Sequence, residues 1–163
     1  MAASNNVTRL LQAKKIAYEA FDLPAGKLGA AETARLLDVP VHRVYKTIVI
    51  TRERTGKPIL AVIPGDHEVD LKALAAAVGE KKVRLPTERE AEKITGLQAG
   101  GISPLALLNR GFQILIDSAS QAEAQVHVSG GQRGLNIRLA PSDLIRVTQA
   151  RVAPISHPVD LSL

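Results

Sequence analysis

Apolar residues along this chain follow two rhythms, one suited to helices and one to strands. Val7, Leu10, Leu11 and Ile16 recur at helical spacing, which predicts a helix across Ser4 to Lys15. Ile16 to Phe21 then alternates weakly, as a short strand does. Pro24 to Gly29 is a loop, and Ala30 to Leu37 reads as a second helix. It ends near Val39-Pro40, because a residue before proline avoids the helical region. His42 to Lys46 reads as a helical turn leading into a buried strand, Thr47 to Thr51. A turn at Thr55-Gly56-Lys57 joins this to Pro58 to Ile63, a hairpin pattern.

Further on, Asp70 suits an N-cap for a helix over Leu71 to Val78, with Gly79 just past its end. Lys82 to Leu85 is a short strand candidate. Thr87-Glu88-Arg89-Glu90 forms a capping box opening a helix to Thr95, and Gly96 stops it. Gln113 to Asp117, Val126 to Val128 and Leu135 to Leu139 are strands. Pro141 to Val147 is a last helix with proline at its first position. About six to seven strands and five helices, joined by both hairpin-length and helix-length links, predict an α/β or α+β domain on a mixed sheet. Residues 1–163 are read as one domain, with the proline-bearing tail after Arg151 loosely ordered.

Composition narrows the chemistry. There is no cysteine, which removes disulfides, thiolate nucleophiles and cysteine-bound metals. The N-terminal stretch lacks the basic-then-apolar order of a secretory signal, and no apolar run nears the ~20 residues of a membrane span. The expected location is the cytoplasm. A net charge of +5 permits an acidic partner such as RNA. The only aromatics are Tyr18, Phe21, Tyr45 and Phe112, too few to stack a run of bases, so phosphates and one terminal nucleotide should dominate such a contact.

Three standard catalytic routes are missing. His42, His67, His127 and His157 are dispersed, and the neighbours Asp66-His67-Glu68 diverge if they lie on a loop, so no metal is expected. No G-x-S-x-G elbow exists, since Ser103 sits between Ile102 and Pro104. The glycine runs match neither phosphate-loop nor dinucleotide patterns, and no organic cofactor is expected. What remains is Lys46 in the apolar run Val44 to Ile50, with the pairs Gly100-Gly101 and Gly130-Gly131. A half-buried ammonium seeks an anionic or strongly polar partner, and bare turns let backbone amides converge on a ligand. Lys46 could equally be a surface lysine, and each glycine pair a simple turn.

Taken in order, VYKTIVI, AGGISPLALLNRG with QILIDSA, and VHVSGGQRGLNIRLAPSDL resemble the YbaK-type aminoacyl-tRNA deacylases, over roughly Val7 to Val147. These are related to the editing domain inserted in bacterial prolyl-tRNA synthetases, and the branch most resembled is the free-standing Cys-tRNA(Pro) deacylase. The resemblance implies a YbaK-like fold with a partly barrel-like sheet. It also implies cleavage of the ester between a mischarged amino acid and the tRNA 3′ end, with a synthetase as a further partner. The family's lysine falls on Lys46, accompanied by Thr47. Its first loop falls on Gly100, Gly101, Ile102, Ser103 and Pro104, and its second on Ser129, Gly130 and Gly131. Lys46, Gly100 and Gly101 are thereby expected to be catalytic and the others to bind substrate. Where relatives carry an aspartate suited to the substrate's α-ammonium, this chain has Asn136, which keeps an acceptor oxygen without the charge. Ala-tRNA(Pro) or another small misacylated residue is an alternative substrate. A non-catalytic adaptor for tRNA or a synthetase is an alternative function.

Overall fold

The computed structural model describes residues 4–159. Ten strands and five α-helices lie among them, three strands more than the sequence pattern predicts. The centre is a five-stranded sheet in the order β5 (Val83–Arg84), β2 (Tyr45–Arg52), β3 (Ile59–Pro64), β6 (Gln113–Asp117), β9 (Arg151–Ala153). The hairpin β2–β3 is antiparallel, whereas β6 lies parallel to β3 and β9 parallel to β6. Every residue of β3 is buried, as expected of a central strand covered on both faces.

Alternation along these strands splits the core in two. Ile50, Ile59, Ala61, Ile63 and Leu115 face one way, onto Leu74 of helix α3 (Leu71–Ala77) and onto Ile155. Tyr45, Val49, Leu60, Val62 and Ile116 face the other way, onto a three-stranded antiparallel sheet. That sheet has the order β1 (Tyr18–Asp22), β8 (Leu135–Leu139), β7 (Val126–Ser129). Its Val126, Val128, Leu135, Ile137 and Leu139 complete the second core, together with Val7 and Leu11 of helix α1 (Asn6–Ala13). The opposite face of the same strands carries Glu19, Phe21, His127, Ser129, Asn136 and Arg138, paired across the strands as Phe21↔Asn136, Ser129↔Asn136 and His127↔Arg138. Period-two alternation thus puts a polar row on one side and a core on the other.

Besides packing face to face, the two sheets are joined among the described residues by one parallel bridge, Val44↔His127. This gives the partly rolled form expected, without closing into a barrel among the described residues. On its outer edge β2 pairs with β5 only at Thr51 and Arg52, so residues 45–50 have no strand partner there. The gap between the bridge and β5 leaves room for a site.

The stretch after Arg151 is a correction to the sequence expectation. It forms β9 and then β10 (Ser156–Pro158), which pairs with β4 (His67–Val69), a segment read from sequence as loop. Three-residue strands carry too little periodicity to be seen locally. They are held from elsewhere: the buried carboxylate of Asp117 accepts from Ile155 N at 3.0 Å, Ser156 Oγ at 2.8 Å and Ala119 N at 2.9 Å. Asp117→Ala leaves three donors without their acceptor. It should lower stability by ~3 kcal/mol, read as a lower urea midpoint.

Candidate active site

A cavity of about 360 Å³ opens at the bare edge of β2. Its floor is the strand segment 44–49, including Lys46 and Thr47. Gly26, Leu28 and Thr33 line it on one side, Leu85 and Pro86 on another, and Gly100, Ile102, Ser129 and Asn136 close it. Lys46, Thr47, Gly100, Ile102, Ser129 and Asn136, all expected from the sequence, therefore share one cleft. Gly101, Ser103, Pro104, Gly130 and Gly131 do not line it, and they build the loops that do.

The two glycine loops are stitched together. Ser129 Oγ donates to Gly100 O and accepts from Gly131 N, each at 3.3 Å. Arg133 Nε donates to Ala99 O at 2.7 Å. Gly101 permits this approach, since a Cβ there would lie 2.9 Å from Gln132 Cα and 3.1 Å from Arg133 N. Ser103 is fully buried and its Oγ accepts from Leu105 N, capping a turn that starts at Pro104. Gly130 N donates to Leu135 O at 2.8 Å.

The amide of Gly101, expected to face the substrate, donates instead to Gln98 O at 2.8 Å. The amides of Gly100 and Ile102 have no acceptor among the described residues, and both residues line the cavity. They are the donors this loop has to offer. Gly100 sits at φ +91°, a left-handed conformation that L side chains rarely adopt.

Lys46 is half-buried. Its Nζ donates to Gly65 O at 3.3 Å, its one hydrogen bond among the described residues. Burial pulls its pKa below the usual lysine value, while Asp66 and Glu68 pull back toward the charged form. Gly65 is close-packed, because a Cβ there would sit 2.8 Å from Val44 O and 2.9 Å from Val41 O. The sequence reading did not find this turn, since nothing local ties Gly65 to Lys46. The hairpin register does, with Lys46 opposite Ile63.

His127 was also missed as anything but a dispersed histidine. It is 2% exposed, with Nδ1 2.9 Å from Asn136 Oδ1 and its ring 5.7 Å from that of Phe21. Burial lowers its pKa from the usual 6.5; the Asn136 contact opposes this, and the Arg138 and Arg43 charges add to it. Between that lowered value and 6.5 the unfolded chain binds the extra proton, so stability falls as pH drops through this window. His127→Gln should show a flatter decline of the urea midpoint between pH 7 and 5 than the parent.

Among the described residues no group of three or more His, Asp or Glu is placed to hold a metal ion, and no helix is long and apolar enough to cross a membrane.

The sequence profile of the Aminoacyl-tRNA editing domain matches residues 25–147. The chain is 35% identical over 153 residues to an Enterococcus faecalis protein named "Putative Cys-tRNA(Pro)/Cys-tRNA(Cys) deacylase EbsC", covering 93% of this chain and 92% of that one. It is 25% identical over 137 residues to the proline–tRNA ligase of Streptococcus equi subsp. zooepidemicus, and the match spans 22% of that longer enzyme. Among solved structures, "hypothetical protein APE2540" superposes with a TM-score of 0.86 at 25% identity, over 94% of this chain and all of that one.

Proposed function

Because this chain belongs to the aminoacyl-tRNA editing domain family, we propose that it is a free-standing deacylase that cleaves the ester of mischarged Cys-tRNA(Pro), with Cys-tRNA(Cys) as a second substrate. The observation that carries this reading is the convergence of Lys46 and two glycine loops on one cleft at an unpaired strand edge. A cleft of about 360 Å³ suits a terminal ribose and a small aminoacyl group, with the rest of the tRNA outside. The name of the E. faecalis relative supports the choice of amino acid.

In this mechanism the amides of Gly100 and Ile102 hold the ester carbonyl and receive the negative charge that develops on its oxygen. One such donor is worth ~3 kcal/mol where it has been removed by mutation. Lys46 fixes the ribose or terminal phosphate, or polarises the carbonyl. Thr47 and Ser129 hold the ribose hydroxyls. With cysteine as the aminoacyl group, the substrate's own thiolate is the best nucleophile available. Its sulfur bonds to the carbonyl carbon, the carbon–oxygen ester bond breaks, and the tRNA hydroxyl leaves with a proton. The products are free tRNA and a four-membered cyclic thioester, which water then opens to cysteine. A positioned water gives cysteine directly. Positioning and electrostatics suffice because the ester is already activated.

The site of action is the cytoplasm, where aminoacyl-tRNA is used, and a prolyl-tRNA synthetase is the partner expected to supply tRNA selectivity. The test is incubation of pure protein with labelled Cys-tRNA(Pro), Ala-tRNA(Pro) and Pro-tRNA(Pro). Faster loss of the first is expected, with Ala-tRNA(Pro) slower by the 10–200-fold that a small change in pocket filling provides. Rates no better than buffer for all three would remove the enzyme reading.

A further inference from the structure

The polar face of the β1–β8–β7 sheet holds a contact that the deacylase mechanism above does not use. His127 and Asn136 are diagonal neighbours on adjacent strands, and both are nearly sealed, at 2% and 4% exposure. Only Asn136 of the two lines the cavity. The histidine meets the oxygen side of the amide, Nδ1 to Oδ1 at 2.9 Å. An amide oxygen only accepts, so the proton of this hydrogen bond belongs to His127 Nδ1. The opposite arrangement would place the proton on Nε2, which has no acceptor among the described residues. That arrangement would also need the amide nitrogen to face His127, whereas the structure turns the oxygen there. A second proton on the ring is opposed first by burial and then by the Arg138 and Arg43 charges. With the oxygen taken by His127, the amide nitrogen of Asn136 is left without a partner among the described residues, at the cavity wall.

We propose that His127 is a positioning residue that locks Asn136 so that its NH₂ group faces the cavity, making this wall a donor for an acceptor oxygen of the substrate and not a seat for an α-ammonium group. The acceptor is the ester carbonyl or a ribose hydroxyl oxygen. This reverses the polarity expected at this position from the sequence. The protein should therefore cleave acyl esters whether or not they carry an α-amino group. The identity of the ligand rests on the deacylase reading, whereas the orientation of the amide does not.

Two measurements decide it. Long-range proton–nitrogen correlation spectra of protein labelled with ¹⁵N-histidine report the His127 tautomer in the native state at neutral pH. Nδ1 protonated with Nε2 bare is expected, and a proton on Nε2 overturns the proposal. The second compares tRNA acylated with cysteine and with 3-sulfanylpropionate, the same acyl group without its amine, each rate divided by that ester's own rate in buffer. The parent protein should treat the two within about tenfold, and a larger preference for the amine overturns the proposal. Asn136→Asp presents a carboxylate oxygen to the cavity while still accepting from His127. It should shift the ratio toward the amine-bearing ester by at least about tenfold, as charge-assisted pairing with an ammonium does. An unshifted ratio in the folded variant counts against the proposal. If neither ester is cleaved, the deacylase reading fails while the tautomer still decides the orientation.

Discussion

Replacing Lys46 by methionine is expected to lower kcat/KM for Cys-tRNA(Pro) by about 10²-fold while leaving the fold intact. The size follows from losing a charge-assisted contact to the substrate, worth ~1.5–3 kcal/mol when one partner is charged. Methionine keeps an unbranched apolar stem against the strand and removes only the ammonium. The stability effect has the opposite sign to that of a structural ion pair. Lys46 has its pKa lowered by burial, so folding costs free energy as long as the amine is charged. That cost is present at neutral pH and fades as pH rises from the lowered value toward 10.5, because there the unfolded chain binds more protons than the folded one. The methionine variant should therefore be as stable as the parent or slightly more so at pH 7, and its advantage should shrink near about pH 10. Steady-state deacylation and urea melts at the two pH values check both halves. An activity within about threefold of the parent would return Lys46 to the standing of a partly covered surface lysine.

Gly101→Ala is expected to damage both activity and stability without touching the cavity. The added carbon would sit 2.9 Å from Gln132 Cα and 3.1 Å from both Arg133 N and Gln132 C, all of them backbone atoms that cannot rotate away. The loops before Ser103 and after Ser129 must then separate, at the ~1–3 kcal/mol typical of overpacking. For a chain of this size that lowers Tm by roughly 2–12 °C. Separation also strains the Ser129–Gly100 and Arg133–Ala99 hydrogen bonds that set the position of the Gly100 amide. A shift of ~1 Å in a positioning element can cost 10²-fold in rate. The discriminating result is a loss of kcat/KM that persists well below the variant's Tm, where the protein is folded. Full activity in the folded variant would mean that the first loop does not set the reacting geometry.

Much of this arrangement is legible in the sequence because it is local. Thr87 and Glu90 form the capping box their spacing predicts, Asp70 caps Ala73 N, and Gly96 ends its helix at φ +73°. The apolar runs at Ile59–Pro64 and Gln113–Asp117 are strands buried over all or nearly all their length, and Tyr45–Arg52 is a strand that buries Tyr45, Val49 and Ile50. What was not legible is whatever depends on a distant partner. The pairing of β4 with β10 and the hold of Asp117 on Ile155 join residues far apart in the chain. So do the Lys46–Gly65 contact and the amide of Gly101, which turns back to Gln98.

By itself the sequence determined the longer elements, the family and the handful of residues from which a site could be made, since caps, periodicity and turn residues act over a few positions. Only the tertiary structure decided which of those residues share a cleft and which atoms they turn toward it. The edge of β2 is bare because β5 pairs with just its last two residues, and the oxygen of Asn136 is occupied because β7 brings His127 beside it. The two ends of an amide point apart, so turning the oxygen of Asn136 toward His127 leaves its nitrogen at the cavity.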